Sequence, residues 1–345
     1  MTAQHPEIRP EQSLELLKQL HILTRDGKLN QDSRRKLKQV YHLYQFIEPL
    51  LAEALAERPD VQLVDHGAGK SYLGFILYDL FFKSKTVGRV IGVETRAELV
   101  GNEYVINGSK AFISGAGSTD VLVLMARTGD AQSGASGISA FAVPADTPGI
   151  SYGKKEQKMG WNSQPTRTIS FDNVRIPADH LLGREGEGFK IAMKGLDGGR
   201  INIATCSVGA AQGALNAAQQ YMQDRKQFGK PIASFQALQF KLADMATELV
   251  AARQMVRLAA SKLDAGARDA STYCAMAKRF ATDAGFTVIN DALQLHGRYG
   301  YIREYPLERL LRDARVHQIL EGTNEIMRVI IARRMLDGDA TDVIR

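Results

Sequence analysis

The sequence predicts a multidomain chain of α and β structure in three parts: an N-terminal α/β segment, a small central antiparallel β domain, and a C-terminal up-and-down four-helix bundle. Three changes of hydrophobic period predict it. Residues 61 to 94 run as strand, glycine-containing turn, amphipathic helix and strand; residues 101 to 182 alternate in steps of two between turn signals; from 183 onward apolar residues recur every three or four positions. The parts are therefore 1–100, 101–182 and 183–345, and 345 residues are enough for two or three domains with a sizeable core.

The first part opens with helical periodicity in Leu14, Leu16, Leu17 and Leu20, then in Leu37, Val40, Leu43, Phe46 and Ile47, until Pro59 and Asp60 break it. VQLVDHGAGKSYLGFILYDLF and RVIGVE follow. Glycines in such a strand-to-helix turn let the backbone approach a ligand, and an acid ending the next strand accepts hydrogen bonds from ribose hydroxyls. Asp65, Gly67, Gly69 and Glu94 thereby resemble the cofactor entry of a class I S-adenosylmethionine-dependent methyltransferase, a partial Rossmann-like unit, and the resemblance implies S-adenosylmethionine as its ligand. The plainer reading is an ordinary strand-to-helix turn. Only two strands are supplied, and no further βα alternation follows to complete a doubly wound sheet. The cluster Arg34, Arg35, Lys36 and Lys38 reads as a solvated helix face rather than a nucleic-acid contact.

In the second part, EYVI and AFIS around Asn107–Gly108 predict a hairpin, because Asn-Gly suits a type I′ turn. DVLVLMAR, GISAFAV and TRTISF supply further strands, ending near Pro177, and the single tryptophan, Trp161, reads as a core aromatic.

In the third part helices are predicted over 186–222, 233–265, 269–296 and 304–335. Leu238, Leu242, Met245 and Leu249 mark one buried face, with Lys241, Asp244 and Glu248 between them. Cys206 and Cys274 sit in apolar helical patterns without metal-ligand spacing and read as buried free thiols of a reducing compartment, so no metal site is expected. Arg225 lies where a helix ends before Gly229 and Pro231, and its guanidinium suits a diphosphate. Val316, Ile319 and Leu320 precede Glu321; Gly322, Thr323 and Asn324 follow it as a helix end, a cap and a restart. A carboxylate held at such a break beside apolar residues is partly desolvated and suited to take a proton from carbon. The plainer reading is a solvated helix end.

The formal net charge of +6 is spread along the chain and hints at an anionic ligand. No signal-like segment and no apolar run near the roughly 18 residues of a membrane span is present, so a soluble cytoplasmic protein is expected.

Five stretches, in order, resemble the acyl-CoA dehydrogenases over about 101–335: NGSKAFISG at 107–115, KMGWNSQPTRTISFDNVRIP at 158–177, GLDGGRINIA at 195–204, DRKQFGKPIASFQALQFKLADM at 224–245 and LQLHGRYGY at 293–301, with EGTNE at 321–325 completing the series. The wording of 195–212 is nearest the short, branched-chain branch. The resemblance implies FAD-dependent α,β-dehydrogenation of an acyl-CoA, with Glu321 as the base that takes the α-proton. It assigns Phe112, Ser114, Arg225, Gln227, Gln236, Gln294, Gly297, Arg298, Thr323 and Glu325 to FAD, and Asp197, Arg200 and Gly322 to substrate. Some relatives carry the base on the helix of the GLDGGR motif; Gly199 stands there, which leaves Glu321. An electron-transfer flavoprotein and a homo-oligomer, a tetramer built as a dimer of dimers, are implied as partners.

Two features depart from the family. Gly297 is followed by Arg298 where relatives have a second glycine, and the first hundred residues carry neither the family's helical domain nor its Thr-Glu-Pro-x-Ala-Gly-Ser-Asp-like flavin stretch. The chain reads as a composite of a methyltransferase-like front and an acyl-CoA dehydrogenase middle and end. A methyltransferase, or an inactive helical-bundle protein, are the alternatives to a working dehydrogenase.

Overall fold

A computed structural model describes residues 7–57, 61–66, 72–83, 89–130 and 132–337. They fall into two compact units, Met1–Lys155 with Thr166–Gly188, and Glu156–Pro165 with Phe189–Arg345.

In the first unit, α1 (Leu14–Gln19) starts at Ser13, whose hydroxyl accepts from the Leu16 N–H, and α2 spans Gln31–Glu57. β1 (Gln62–His66) pairs in parallel with β2 (Arg89–Val93), and between them α3 (Tyr72–Leu77) runs on into a π-helical turn, Tyr78–Phe82. Leu17, Leu37 and Ile76 form one small core and Tyr44, Leu77, Phe81 and Phe82 another. The π turn buries Asp79, which accepts from the Ser13 N–H at 2.7 Å, from Lys83 Nζ at 3.0 Å and from the Gln12 amide. A buried carboxylate needs such donors, and these tie α1 to the end of α3.

The rest of the first unit is a seven-stranded sheet in the order β7-β8-β4-β3-β5-β6-β9. Its strands are β3 (Arg96–Val100), β4 (Glu103–Ser114), β5 (Val121–Arg127), β6 (Ile138–Pro144), β7 (Ile150–Tyr152), β8 (Thr166–Pro177) and β9 (Leu181–Leu182). Ile106, Phe141, Val143, Val174 and Ile176 are its buried face. Two expectations are corrected. Asn107–Gly108 does not turn a hairpin: β4 runs straight through it, with a register shift between Ile106 and Gly108, and the tight turn lies earlier, at Gly101–Asn102, between the paired Val100 and Glu103. The glycine at 108 is needed for close approach instead, since a Cβ there would sit 2.6 Å from the Thr95 Cα. The strand Arg96–Val100, assigned by sequence to the N-terminal part, hydrogen-bonds into this sheet, antiparallel to β4.

The second unit is helical: α4 (Gly188–Asp224), α5 (Gln236–Asp264), α6 (Ala270–His296), α7 (Leu307–Ala314) and α8 (Asn324–Leu336). Its core interleaves Ala204, Ala211, Ala214 and Ala218 of α4 with Met245, Leu249 and Val256 of α5 and Ala277, Ala281, Val288 and Ala292 of α6. Small residues let the backbones come close, and each fully buried Leu, Val or Met contributes roughly 1.5–3 kcal/mol. The run predicted over 304–335 holds two helices, the second restarting at the Thr323 cap read from the sequence and the first ending earlier than Gly322, at Ala314. After α7 comes a 3-10 turn, Arg315–Gln318, then an irregular stretch in which Glu321 and Gly322 have φ of +57° and +88° before Thr323 caps α8. No α-helix passes through left-handed residues. Cys274 is buried as expected, but Cys206 is exposed, because its position faces away from the packed side of α4. Trp161 is half-buried rather than core; its ring meets His317 edge-on at 4.7 Å and its backbone N–H donates to Asp313 at 2.5 Å.

Candidate active site

The break between α7 and α8 positions Glu321. Thr323 Oγ1 accepts from the Ile326 N–H, starting α8 cleanly, so the two residues before it are free of helical geometry. Glu321 occupies the left-handed region, which costs a residue with a side chain about 1–3 kcal/mol and is characteristic of sites where geometry serves chemistry. Its carboxylate is half-buried and lies over Gly199 of α4: a Cβ at 199 would collide with Glu321 Oε2 and sit 2.9 Å from Cδ. The two positions at which the family resemblance allows a base thus converge on one place, and the absence of a side chain at 199 makes room for Glu321.

Beside Gly199, Asp197 and Arg200 form a buried ion pair at 2.7 Å, 8% and 5% exposed, and Ser271 Oγ donates to the second Asp197 oxygen at 2.5 Å. This pair lies inside α4, neither capping a helix start nor lying on the surface. Burial, with the Asp197 charge nearby, pushes the Cys274 thiol up to about 11, so it stays protonated. On the other side, Lys278 of α6 is fully buried and its Nζ donates to the Gly322 carbonyl at 2.8 Å and to Asn324 Oδ1 at 2.9 Å. His317 is buried with neither ring nitrogen bonded among the described residues, and burial drives it down to about 4, so it is neutral. Lys278 and His317 were not singled out from sequence, and Asn324 was read only as the restart of a helix. The signal for Lys278 was present: Cys274, Ala275, Ala277 and Ala281 are all buried around it on α6, which places a lysine in an apolar stripe.

The residues assigned to flavin are less gathered. Phe112 is 77% exposed with φ +55°, at a second register shift of β4; Ser114, also exposed, pairs in register with Thr166. Arg225 follows the last residue of α4, its guanidinium 5.7 Å from the Tyr299 ring centre, and among the described residues no carboxylate pairs with it. Gln227, in a two-residue strand Lys226–Gln227 paired with Lys230–Pro231, and Gln236, first in α5, are exposed. At the end of α6, Gln294, Gly297 and Arg298 are exposed too, and Arg298 points its bulk outward. Glu325 is exposed, and its own N–H and the Thr323 hydroxyl hold its carboxyl below the usual range, which makes these two residues part of the α8 start.

Of the methyltransferase-like set, Asp65 lies in β1 opposite Gly92; Gly67 and Gly69 fall outside the described residues. Glu94 accepts from Arg127 Nε at 3.0 Å, so its carboxylate is engaged with β5. Among the described residues no cluster of metal-ligating side chains occurs, and no helix is long and apolar enough to cross a membrane.

A seven-stranded sheet, then a helical unit whose last helix breaks around one carboxylate, defines the class: among solved structures this arrangement is that of the acyl-CoA dehydrogenases. Butyryl-CoA dehydrogenase from Megasphaera elsdenii matches with a TM-score of 0.69 and 44% identity, covering 71% of this chain and 64% of that one. An acyl-CoA dehydrogenase from Geobacillus kaustophilus matches at 0.68 and 34%, covering 80% and 69%. The family models for the acyl-CoA dehydrogenase C-terminal and middle domains match residues 186–336 and 88–174. From residue 88 onward the chain belongs to the acyl-CoA dehydrogenase family. It is 54% identical over 247 residues to the mitochondrial isobutyryl-CoA dehydrogenase of Dictyostelium discoideum, covering 72% of this chain and 59% of that protein, so it spans about three fifths of that relative's length. A methyltransferase domain model matches residues 35–115, overlapping the middle-domain match over 88–115.

Proposed function

We propose that the chain carries out the FAD-dependent α,β-dehydrogenation of a short or branched acyl-CoA, of the isobutyryl-CoA kind, to the 2-enoyl-CoA. The observation that carries the reading is the Glu321 carboxylate held in a left-handed turn over the side-chain gap at Gly199. Glu321 takes the proton from the carbon α to the thioester. The backbone N–H of Glu321, which meets no acceptor among the described residues, donates to the thioester oxygen as enolate charge grows there. Asp197 and Arg200 wall the acyl end, their charges neutralised by each other. Phe112 and Arg225 suit a flavin dinucleotide: one offers a bare aromatic face, the other a cation without a carboxylate partner among the described residues. Ser114, Gln227, Gln236, Gln294, Gly297, Arg298, Thr323 and Glu325 are assigned with them. FAD held by these residues would supply the acceptor for the β-hydrogen, which leaves as hydride. Electron-transfer flavoprotein as acceptor, a homotetramer, and a cytoplasmic location belong to the same proposal.

The test is the visible spectrum of the purified chain with FAD, before and after anaerobic addition of isobutyryl-CoA. Bleaching in the wild type, retained colour without bleaching in Glu321→Gln, is the expected pair. A protein that stays colourless with FAD sinks the proposal. A second reading, S-adenosylmethionine held by the N-terminal segment, is favoured by the parallel β1–β2 pair and the methyltransferase match; calorimetric binding of S-adenosylmethionine to the whole chain decides it.

A further inference from the structure

The stretch that carries Glu321 is fastened to α6 on both sides. Before it, Gln318 Nε2 donates to Asp283 Oδ1 at 2.8 Å; after it, Asn324 Nδ2 donates to the same oxygen at 2.7 Å and to Thr282 Oγ1 at 2.9 Å. Between these ties stands Lys278, with no exposed surface, one of its three donors on the Gly322 carbonyl and another on Asn324 Oδ1. Glu321 and Gly322 are the two left-handed residues of the stretch, and the Lys278 bond falls on the peptide that joins Gly322 to the cap.

From this geometry we infer that Lys278 is a positioning residue: its ammonium holds the Glu321–Gly322 turn shut and so aims the Glu321 carboxylate over Gly199. A lysine is an expensive way to fill an apolar stripe. Burial pulls its ammonium down to about 8, against the attraction of Asp283, Glu321 and Glu325, and a Met of similar volume would avoid that cost. The feature Met lacks is the donor to the Gly322 carbonyl. Purely structural use of Lys278 would make its loss a loss of stability; positional use makes it a loss of aim, with stability kept or raised.

The role of Glu321 as base rests on the proposed function, and the experiment separates the two. In the whole 345-residue chain, amide hydrogen exchange is followed for peptides covering 318–326 and, as a reference, α5, in wild type, Lys278→Met and Glu321→Gln. Incorporation of deuterium at the α-carbon of isobutyryl-CoA is measured alongside, because it needs the base and no net redox step. Lys278→Met is expected to speed exchange across 318–326 at least about tenfold with α5 unchanged, since it removes both buried charged hydrogen bonds of the ammonium and either one alone accounts for that factor. It is expected to slow α-deuteration by at least about tenfold at nearly constant KM. Unchanged protection of 318–326 in Lys278→Met overturns the inference whether or not the chain is active. Absence of α-deuteration in the wild type, or its persistence in Glu321→Gln, overturns the base instead. If Lys278→Met loses the α5 protection too, Asn324→Ala, which removes the second anchor of the ammonium, is read the same way, and an unchanged 318–326 there is equally fatal.

Discussion

Gly199→Ala puts stability and catalysis in opposition. In a helix interior alanine is favoured over glycine by about 1 kcal/mol. The new methyl falls against the Glu321 carboxylate, 2.9 Å from Cδ where ordinary contact is about 3.5–4.0 Å, so the carboxyl group must retreat by roughly 0.6–1 Å. A glutamate end is flexible, and moving it off its rotamer costs on the order of 0.5–1.5 kcal/mol. The fold therefore stays within about 1 kcal/mol of wild type. Proton transfer is much less tolerant: a misplacement near 1 Å costs up to about a hundredfold. Thermal unfolding gives the first quantity and α-deuteration of isobutyryl-CoA the second. A variant that unfolds at the wild-type temperature and deuterates at the wild-type rate would show that Glu321 does not react from above Gly199, and the site would have to be redrawn.

The buried pair makes a second prediction. Asp197→Ala leaves Arg200 charged and enclosed and is expected to lower unfolding free energy by about 3–5 kcal/mol, whereas Asp197→Leu with Arg200→Met restores most of it; urea titration of the single and double variants checks this, and equal losses in both would mean the charges are not isolated from water. The third concerns pH. His317 binds its proton at about 4 when folded and near 6.5 when unfolded, so its share of stability is complete above 6.5 and is lost as pH falls toward 4. The span amounts to at most about 3 kcal/mol. His317→Leu is expected to flatten that part of the stability profile between pH 7 and pH 4.5, and an unchanged slope would place the ring in contact with solvent.

The helical unit was largely legible because its signal is local. A stripe of Leu238, Leu242, Met245 and Leu249 can be satisfied only by burying one face of a helix, and Met245 and Leu249 are buried. Glu321 was legible for a related reason: the cap at Thr323 and the glycine before it fix the end of one helical run and the start of the next. Lys278 was not, although its apolar neighbours on α6 announce it, because nothing in a linear reading says that its ammonium will meet a carbonyl 44 residues away. Asn107–Gly108 failed in the opposite direction. The dipeptide carries a strong turn signal, yet a glycine also serves where another backbone passes too close for a Cβ, and only the approach of Thr95 tells the two uses apart.

The junction near residue 95 follows the same logic. The methyltransferase and middle-domain matches both claim 88–115, and hydrogen bonding divides what sequence leaves shared. β2 ends at Val93 paired to β1; β3 begins at Arg96 paired to β4; and the two residues between them face the larger sheet, Thr95 Oγ1 donating to the Ser109 carbonyl at 3.0 Å and Glu94 accepting from Arg127. Arg127, whose side chain is only 12% exposed, holds Glu94 Oε2 and also donates to the carbonyls of Asp130 and Gly134. The acid that would complete a nucleoside site at the end of β2 thus already has one carboxylate oxygen committed to the central strands of the β domain, and the ion pair to Arg127 joins the two segments.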